Sequence, residues 1–170
     1  MANKDALRAA VFKAVENYCA ADFGYAFDQK NPVVRLHEPT FQADEINAAL
    51  ECLLSTYVTM GPKVKKFEEM FCTEFGWTEG VMNNSGSSAN LLAVAALANP
   101  ATEDGLRPGD EVIVPALSWS TTVWPVIQCG LKPVIVDIDP ATFNIDPNEI
   151  EKAIGPKTRA VMIVPVYGNP

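Results

Sequence analysis

From residue 4 to residue 75, apolar side chains recur at intervals of three and four, the spacing of amphipathic helices. Loops interrupt this pattern at Asn31-Pro32 and Glu38-Pro39, and Thr59-Met60-Gly61-Pro62 interrupts it again. Pro62 is suited to the first turn of a helix, and Gly76 is suited to the end of one. The pattern predicts three helices, at residues 4–21, 44–55 and 62–75.

From residue 80 onward, short apolar runs alternate with helical segments. The first helix of this part opens after residues 83–88 and contains the apolar run 91–97, and Gly130 is suited to end the second helix. Continuous apolar strands that alternate with helices are typical of a parallel sheet covered on both faces, so the predicted fold class is α/β. The predicted strands lie at 80–82, 112–114, 133–137 and 159–164, and two further helices lie at 121–129 and 148–154.

The composition is that of a globular protein with a core. At 170 residues the chain is long enough for one domain that buries most of its unfolded surface. Apolar residues make up 48% and charged residues 20%, which excludes a disordered chain. The net charge is −8, and the one basic cluster, Lys63, Lys65 and Lys66, is typical of a solvated helix face. Nucleic acid is therefore not an expected partner.

Cysteine and histidine usage indicates a cytoplasmic protein without a metal site. The four cysteines are widely spaced and include no C-x-x-C pair, so reduced thiols are expected. His37 is the single histidine, which excludes a His-rich metal site within this chain. The N-terminus has no apolar signal core, and no apolar run approaches the ~18 residues of a membrane span. No membrane association is expected.

The most informative motif is Asn83-Asn84-Ser85-Gly86-Ser87-Ser88-Ala89-Asn90, between a predicted strand and a predicted helix. Small residues let a ligand approach the backbone, the N–H groups of a first helical turn attract anions, and serine hydroxyls add donors. The arrangement predicts a phosphate cradle. The alternative is that these residues serve only as ordinary capping and turn residues. The motif matches neither G-x-x-x-x-G-K-[ST] nor G-x-G-x-x-G.

Polar and aromatic residues follow two other predicted strands. Open α/β sheets bind ligands beyond the carboxyl ends of their strands, and the loop after strand 112–114 contains Trp119. The topology could put this indole beside the cradle, where it would stack on a flat cofactor ring; the alternative is a core anchor. Asp137 and Asp139 are candidate polar site residues, although a turn at Asp139-Pro140 with a capping role is the favoured interpretation.

From about residue 40 to the last residue, the sequence resembles the DegT-type nucleotide-sugar aminotransferases and dehydratases. The resemblance implies the type I fold of transferases that depend on pyridoxal phosphate (PLP), with only the N-terminal part of its large domain present. Residues 1–40 would form an N-terminal arm with a helix, and residues 41–170 the truncated large domain. The landmarks, in family order and spacing, are Thr59-Met60-Gly61, Phe67-Glu68, Asn84-Ser85-Gly86-Ser87-Ser88-Ala89-Asn90-Leu91, Gly109-Asp110-Glu111-Val112-Ile113-Val114-Pro115, Val136-Asp137-Ile138-Asp139 and Gly168-Asn169-Pro170.

The same resemblance implies site residues and partners. Gly86, Ser87 and Ser88 would hold the phosphate of PLP or of pyridoxamine phosphate (PMP), and Trp119 would stack on the pyridine ring. Active sites of this fold form between two subunits, so a homodimer is implied, and no metal is. The candidate substrate-binding residues are Thr59, Met60 and Gly61.

Within the family, Ser118-Trp119-Ser120-Thr121-Thr122, together with Asn90-Leu91-Leu92 and the closing Gly168-Asn169-Pro170, is closest to the 3-dehydratases. These enzymes remove the C3 hydroxyl of a nucleotide-linked 4-keto-6-deoxyhexose in deoxysugar biosynthesis, for example for lipopolysaccharide O-antigen. A PLP-dependent aminotransferase that makes a 3- or 4-amino sugar, with glutamate as a possible amino donor, is the alternative. A non-catalytic module that keeps the fold is a third possibility.

The resemblance puts the catalytic base beyond residue 170. This base is a lysine in the aminotransferases and a histidine in the 3-dehydratases. No lysine of this chain has a matching context, and His37 occurs too early in the chain. No catalytic residue is therefore assigned, and the 170-residue piece is expected to be inactive by itself.

Overall fold

The computed structural model describes residues 3–21, 27–33 and 40–169. Two features considered in the sequence, the loop at Glu38-Pro39 and the single histidine His37, lie outside these residues. The chain divides into two compact units, Met1–Gly80 and Val81–Pro170. Among the described residues, the first unit contains three helices and the second is built around a parallel sheet.

The helices of the first unit begin and end at residues that suit helix termini. Asn3 Oδ1 accepts a hydrogen bond of 3.1 Å from the Asp5 N–H at the start of the first helix. Pro62 opens the third helix, and Gly76, with a φ of 67°, follows its last residue. The three predicted helices are confirmed, as α1 (Lys4–Ala20), α2 (Ala43–Ser55) and α3 (Pro62–Phe75).

Glu51 of α2 links the three helices of this unit. Its carboxylate forms an ion pair with Arg8 of α1, and its other oxygen lies 2.8 Å from Lys63 Nζ of α3. The hydrogen bond from Lys63 lowers the pKa of Glu51, and the charges of Lys63 and Arg8 act in the same direction. The carboxylate therefore stays ionised at neutral pH. The three side chains are nearly half exposed, so each pair contributes little to stability by itself.

The second unit is built around three parallel strands. Strand β1 lies in the centre, with β2 on one side and β3 on the other, and Ile113 of β1 is paired with Val134 and Val161. The predicted parallel α/β arrangement is thereby confirmed. In chain order the elements are α4 (Gly86–Leu97), β1 (Glu111–Pro115), α5 (Ser120–Gln128), β2 (Lys132–Val136), α6 (Pro147–Ala153) and β3 (Thr158–Val161), followed by a short 3-10 turn (Val166–Gly168).

Strand β1 is buried on both faces and organises the core of this unit. Val112, Ile113 and Val114 are at most 2% exposed. Because successive side chains of a strand point to opposite faces, Val112 and Val114 belong to one cluster and Ile113 to another. Further buried members of the first cluster are Val94, Leu106, Val126 and Leu131, and those of the second are Val136 and Ile145.

The predicted strand at 80–82 is wrong. Val81 is 68% exposed and Met82 is 45% exposed, and neither belongs to the sheet. A β-prone segment becomes a strand only when a neighbouring strand pairs with its backbone, and the sheet of the described residues consists of β1, β2 and β3. The apolar pattern identified the local preference but carried no information about pairing.

The last strand is shorter than predicted. Strand β3 ends at Val161, and the Met162 N–H makes one further hydrogen bond, 2.9 Å long, to the Ile113 carbonyl. The apolar run then continues without pairing, Ile163 is 69% exposed, and Pro165 has no N–H to donate. The run of apolar residues therefore extended past the end of the ladder.

The glycine after α5 provides a test of this fold. Gly130 has a φ of 74°, a conformation that strains any residue with a Cβ. We expect Gly130→Ala to lower the free energy of unfolding by about 1 kcal/mol, measured by urea denaturation. Gly155→Ala is the matched control, because Gly155 has an ordinary φ and a Cβ there would meet open space. Equal stabilities of the two variants would contradict the left-handed conformation of Gly130.

Candidate functional site

The loops that follow β1, β2 and β3 emerge at the same edge of the sheet, because the three strands are parallel. They comprise residues 116–119, 137–146 and 162–169. Carboxyl edges of this kind are the ordinary ligand-binding edges of α/β folds. The candidate residues of the second unit lie in or beside these loops.

The motif at 83–90 opens α4 and separates capping from anion binding. Ser85 is the N-cap residue, and its Oγ accepts a hydrogen bond of 3.2 Å from the Ser88 N–H. Ser88 Oγ lies 3.2 Å from the same atom. The N–H groups of Gly86 and Ser87 belong to the first turn of α4, where no preceding helical carbonyl can accept from them. Capping therefore uses the Ser85 hydroxyl and the Ser88 N–H, whereas the N–H groups of Gly86 and Ser87 have no helical acceptor.

Space around Gly86 also suits close approach of a ligand. Both Gly86 and Ser87 are exposed. A Cβ built on Gly86 would meet nothing within 4 Å, so packing within the chain does not require a glycine there. A small anion such as phosphate could reach the backbone at this point and would be attracted by the positive end of the helix dipole.

Trp119 is not a core anchor. Its side chain is 75% exposed. It is the residue that precedes α5, with extended backbone, and its carbonyl accepts a 2.9 Å hydrogen bond from the Thr122 N–H. The exposed indole is available for stacking, which stays a prediction.

A side-chain hydrogen bond that the sequence did not reveal joins the cradle helix to the helix after Trp119. Asn90 Nδ2 donates to the Thr121 carbonyl at 3.2 Å. This bond links the second turn of α4 to the first turn of α5. Asn90 belongs to the motif at residues 83–90, but its partner lies 31 positions further along the chain. Such a contact has no local sequence signal.

A groove of about 420 Å³ lies between α4 and α5. Sequence reasoning did not identify its α5 residues as part of a site, although Thr121, Trp124 and Gln128 are spaced to share one helix face. Trp124 is 55% exposed there. The groove brings the Ser87 and Ser88 side chains close to this face. Its lining residues are Ser87, Ser88, Leu91, Thr121, Trp124, Pro125 and Gln128.

The candidate substrate-binding residues lie in the first unit, in the loop between α2 and α3. The Tyr57 hydroxyl donates to the Met60 carbonyl at 3.3 Å. Gly61 is the N-cap residue of α3, and a Cβ there would lie 2.7 Å from the Tyr57 ring, so this tight loop favours glycine. Thr59 and Gly61 line an apolar groove of about 1030 Å³ together with residues of α2 and α3. Substrate binding by these residues stays a prediction.

Lys63, which follows Gly61 and Pro62, lines this groove as one partner of an ion pair with Glu51. The hydrogen bond to Glu51 raises the pKa of the Lys63 ammonium, and burial opposes this effect only in part. The same group is therefore charged throughout the neutral range. Its pairing with Glu51 fixes one end of the ion pair at the wall of the groove.

Asp139 has the turn role that the sequence favoured. Its Oδ1 accepts a hydrogen bond of 2.8 Å from the Ala141 N–H, and its carbonyl accepts from the Phe143 N–H at 2.7 Å. Asp137 Oδ1 accepts from the Ile138 N–H at 2.8 Å. Both carboxylates are thus engaged by the backbone of the loop after β2.

The described residues contain neither a metal-binding cluster nor a membrane-spanning helix. No group of three or more histidine, cysteine or acidic side chains there is arranged to hold a metal ion. Within the same residues, no helix combines the length and the apolar character that crossing a bilayer requires.

Most of the chain matches the model of a known family. The family model described as DegT/DnrJ/EryC1/StrS aminotransferase family matches residues 39–170. The chain belongs to this family, which confirms the resemblance noted in the sequence.

Relatives with assigned activities include both dehydratases and amino-sugar enzymes. GDP-4-keto-6-deoxy-D-mannose 3-dehydratase of Yersinia pseudotuberculosis is 45% identical over 135 residues, which are 79% of this chain and 34% of the relative. GDP-perosamine synthase of Caulobacter vibrioides is 36% identical, over 81% of this chain and 36% of the relative. This chain thus spans about a third of the length of these relatives.

A solved structure of a relative has a similar fold and contains bound PLP. The Escherichia coli GDP-4-keto-6-deoxy-D-mannose-3-dehydratase with bound hydrated PLP superimposes with a TM-score of 0.75 at 43% identity. The match covers 81% of this chain and 35% of that chain. The predicted class, an α/β fold of the PLP-dependent sugar aminotransferases and dehydratases, is confirmed.

The division of labour among the serines can be tested by stability alone. We expect Ser85→Ala to lower the free energy of unfolding by about 1 kcal/mol, because the N-cap hydrogen bond is lost. Ser87→Ala is the matched control and should change the stability by less than ~0.5 kcal/mol, as an exposed surface substitution. Urea denaturation measures both. If Ser87→Ala lost more stability than Ser85→Ala, the assignment of the capping role to Ser85 would be wrong.

Proposed function

We propose that the whole protein is a PLP- or PMP-dependent enzyme that removes the C3 hydroxyl of a nucleotide-linked 4-keto-6-deoxyhexose. The observation that carries the proposal is the start of α4, where Ser85 and Ser88 cap the helix and leave the N–H groups of Gly86 and Ser87 for an anion. The 45% identity to a GDP-sugar 3-dehydratase supports the reaction class.

The residues at the carboxyl edge fit the cofactor. The N–H groups of Gly86 and Ser87 and the hydroxyls of Ser87 and Ser88 would bind its phosphate, and the absence of a Cβ at Gly86 lets the phosphate approach the backbone. The exposed Trp119 indole offers a flat apolar face to the pyridine ring. When bound, the cofactor supplies an electron sink for departure of the C3 hydroxyl.

The contribution of this chain to the reaction is binding and orientation. The positive end of α4 neutralises part of the phosphate charge, which anchors one end of the cofactor. Trp119 would cover one ring face and exclude water from it. The Asn90–Thr121 hydrogen bond keeps the two anchoring points in fixed relation. Proton transfer requires the family's base, for which no residue of this chain is proposed.

Substrate and assembly complete the proposal. Thr59, Met60 and Gly61 would bind the nucleotide sugar, which is supported by the groove that Thr59 and Gly61 line. We propose a homodimer in the cytoplasm, in keeping with four free cysteine thiols. Glutamate is the proposed amino donor where the cofactor amine has to be supplied.

Amino transfer is the second candidate function. It is favoured by the 36% identity to a GDP-perosamine synthase. The base separates the two reactions: a histidine at the family position is expected for dehydration, and a lysine for amino transfer. A non-catalytic module that has kept the fold is the third candidate.

The reaction can be tested with protein expressed from the complete gene. We expect incubation with PLP, glutamate and GDP-4-keto-6-deoxymannose to yield a product that has lost the C3 oxygen, observed by mass spectrometry and NMR. An aminated sugar that retains this oxygen would establish the aminotransferase instead. Absence of both products, with no cofactor absorbance bound to the protein, would support the non-catalytic module.

Cofactor binding can be tested with substitutions that spare the fold. Gly86→Ala adds a methyl group in open space, so we expect unchanged stability and weaker PLP affinity. Ser87→Ala should reduce affinity by roughly 1.5–3 kcal/mol if its hydrogen bond to phosphate is charge-assisted. Trp119→Ala should reduce it by about 1 kcal/mol, with Trp119→Phe as the control that keeps an aromatic face. Fluorescence titration measures all four, and unchanged affinities would contradict the proposed cradle.

A further inference from the structure

Asn144 grips a turn of the chain that lies after β3. Its Oδ1 accepts a hydrogen bond of 2.9 Å from the Val166 N–H, and its Nδ2 donates to the Asn169 carbonyl at 3.0 Å. The two bonds lie on either side of Tyr167 and Gly168. Both polar ends of one amide side chain are thus used to hold four consecutive residues.

The gripped turn is strained. Tyr167 has a φ of 54° and Gly168 has a φ of 73°, so two successive residues are left-handed. Glycine adopts this conformation freely, but for tyrosine it is uncommon and unfavourable. The Asn144 hydrogen bonds close the turn from both ends and so help to maintain it.

Burial among the described residues does not explain why a tyrosine occupies this position. Tyr167 is 92% exposed. The ring contact that the structure records for it is an edge-on approach to Phe143, with centroids 6.1 Å apart and planes at 83°. A glycine at this position would remove the strain and lose little packing. Retention of strain at an exposed residue therefore points to a role other than stability.

Asn144 is itself held in place by the loop after β2. Its carbonyl accepts a 2.9 Å hydrogen bond from the Asp139 N–H, and the next residue, Ile145, is bridged to Ile138 and buried. The side chain thus extends from a fixed loop on one outer strand to the loop of the other outer strand. Both loops lie at the carboxyl edge, which is the edge of the proposed site.

We propose that Asn144 is a positioning residue of this site, which holds the Val166–Asn169 segment in the conformation that the bound cofactor and sugar require. The inference rests on the proposed function. Asn144 acts through the turn and not by contact with the reacting atoms. Its partners are main-chain atoms, so Asn144 fixes the path of the backbone on either side of Tyr167.

Substitution of Asn144 in the protein expressed from the complete gene tests this role. We expect Asn144→Ala to lower kcat of the dehydration roughly 10- to 100-fold, as for other small misplacements in active sites. Hydrogen exchange of the Val166 amide should become faster at the same time. Asn144→Asp keeps the acceptor for Val166 but loses the donor to Asn169, so it should retain more activity than Asn144→Ala. Asn148→Ala is the matched control, because Asn148 bonds only locally to Asp146.

A second variant separates positioning from stability. Tyr167→Gly relieves the strained φ but also lets the backbone of the turn sample other conformations, so we expect a higher melting temperature together with a lower kcat. A merely structural role for Asn144 would lower the melting temperature and leave the kcat of the folded enzyme unchanged. That result, or a Tyr167→Gly enzyme with full kcat, would overturn the inference while the proposed function stands. A wild-type protein that neither binds PLP nor turns over would contradict the proposed function, and the positioning role would fall with it.

Discussion

Burial of β1 on both faces is the constraint on which the second unit depends. A strand whose valine and isoleucine side chains are almost wholly inaccessible needs a neighbouring strand on each side and a cover on each face. Parallel strands need crossover connections, and the helices in these crossovers supply the cover. The same geometry collects three loops at one edge. The position of the candidate site therefore follows from the parallel arrangement that buries β1.

At that edge, side chains satisfy the hydrogen bonds of the helix cap and of the loop, and some backbone N–H groups still have no acceptor. Ser85 and Ser88 satisfy the cap of α4, and Asp137 and Asp139 satisfy the loop after β2. The N–H groups of Gly86 and Ser87 have no helical acceptor, and the indole of Trp119 is exposed. Within the described residues, none of these groups is needed for packing or capping. N–H donors and an exposed indole at the edge of a parallel sheet are the groups to which a phosphorylated aromatic cofactor would bind.

Local signals in the sequence predicted most elements and failed where pairing decides. Pro62, Gly76 and Gly130 marked helix boundaries because their backbone preferences are intrinsic. The strand at 80–82 was predicted from side chains alone, whereas strand formation depends on a partner. For the candidate site, Gly86, Ser87 and Trp119 were proposed from the motif and the family spacing, and the structure shows all three exposed. The long-range hydrogen bonds of Asn90 and Asn144 were not predicted, because their partners are more than twenty positions away in the chain.

The sheet of the second unit has only three strands, so β2 and β3 each present one open side among the described residues. Ile135 on β2 is 61% exposed, and Ile163 just past β3 is 69% exposed. Open strand edges with apolar neighbours are templates for pairing with other chains. Residues 81–170 expressed by themselves would therefore tend to associate through these edges, and their solubility would depend on whatever segment normally lies against them.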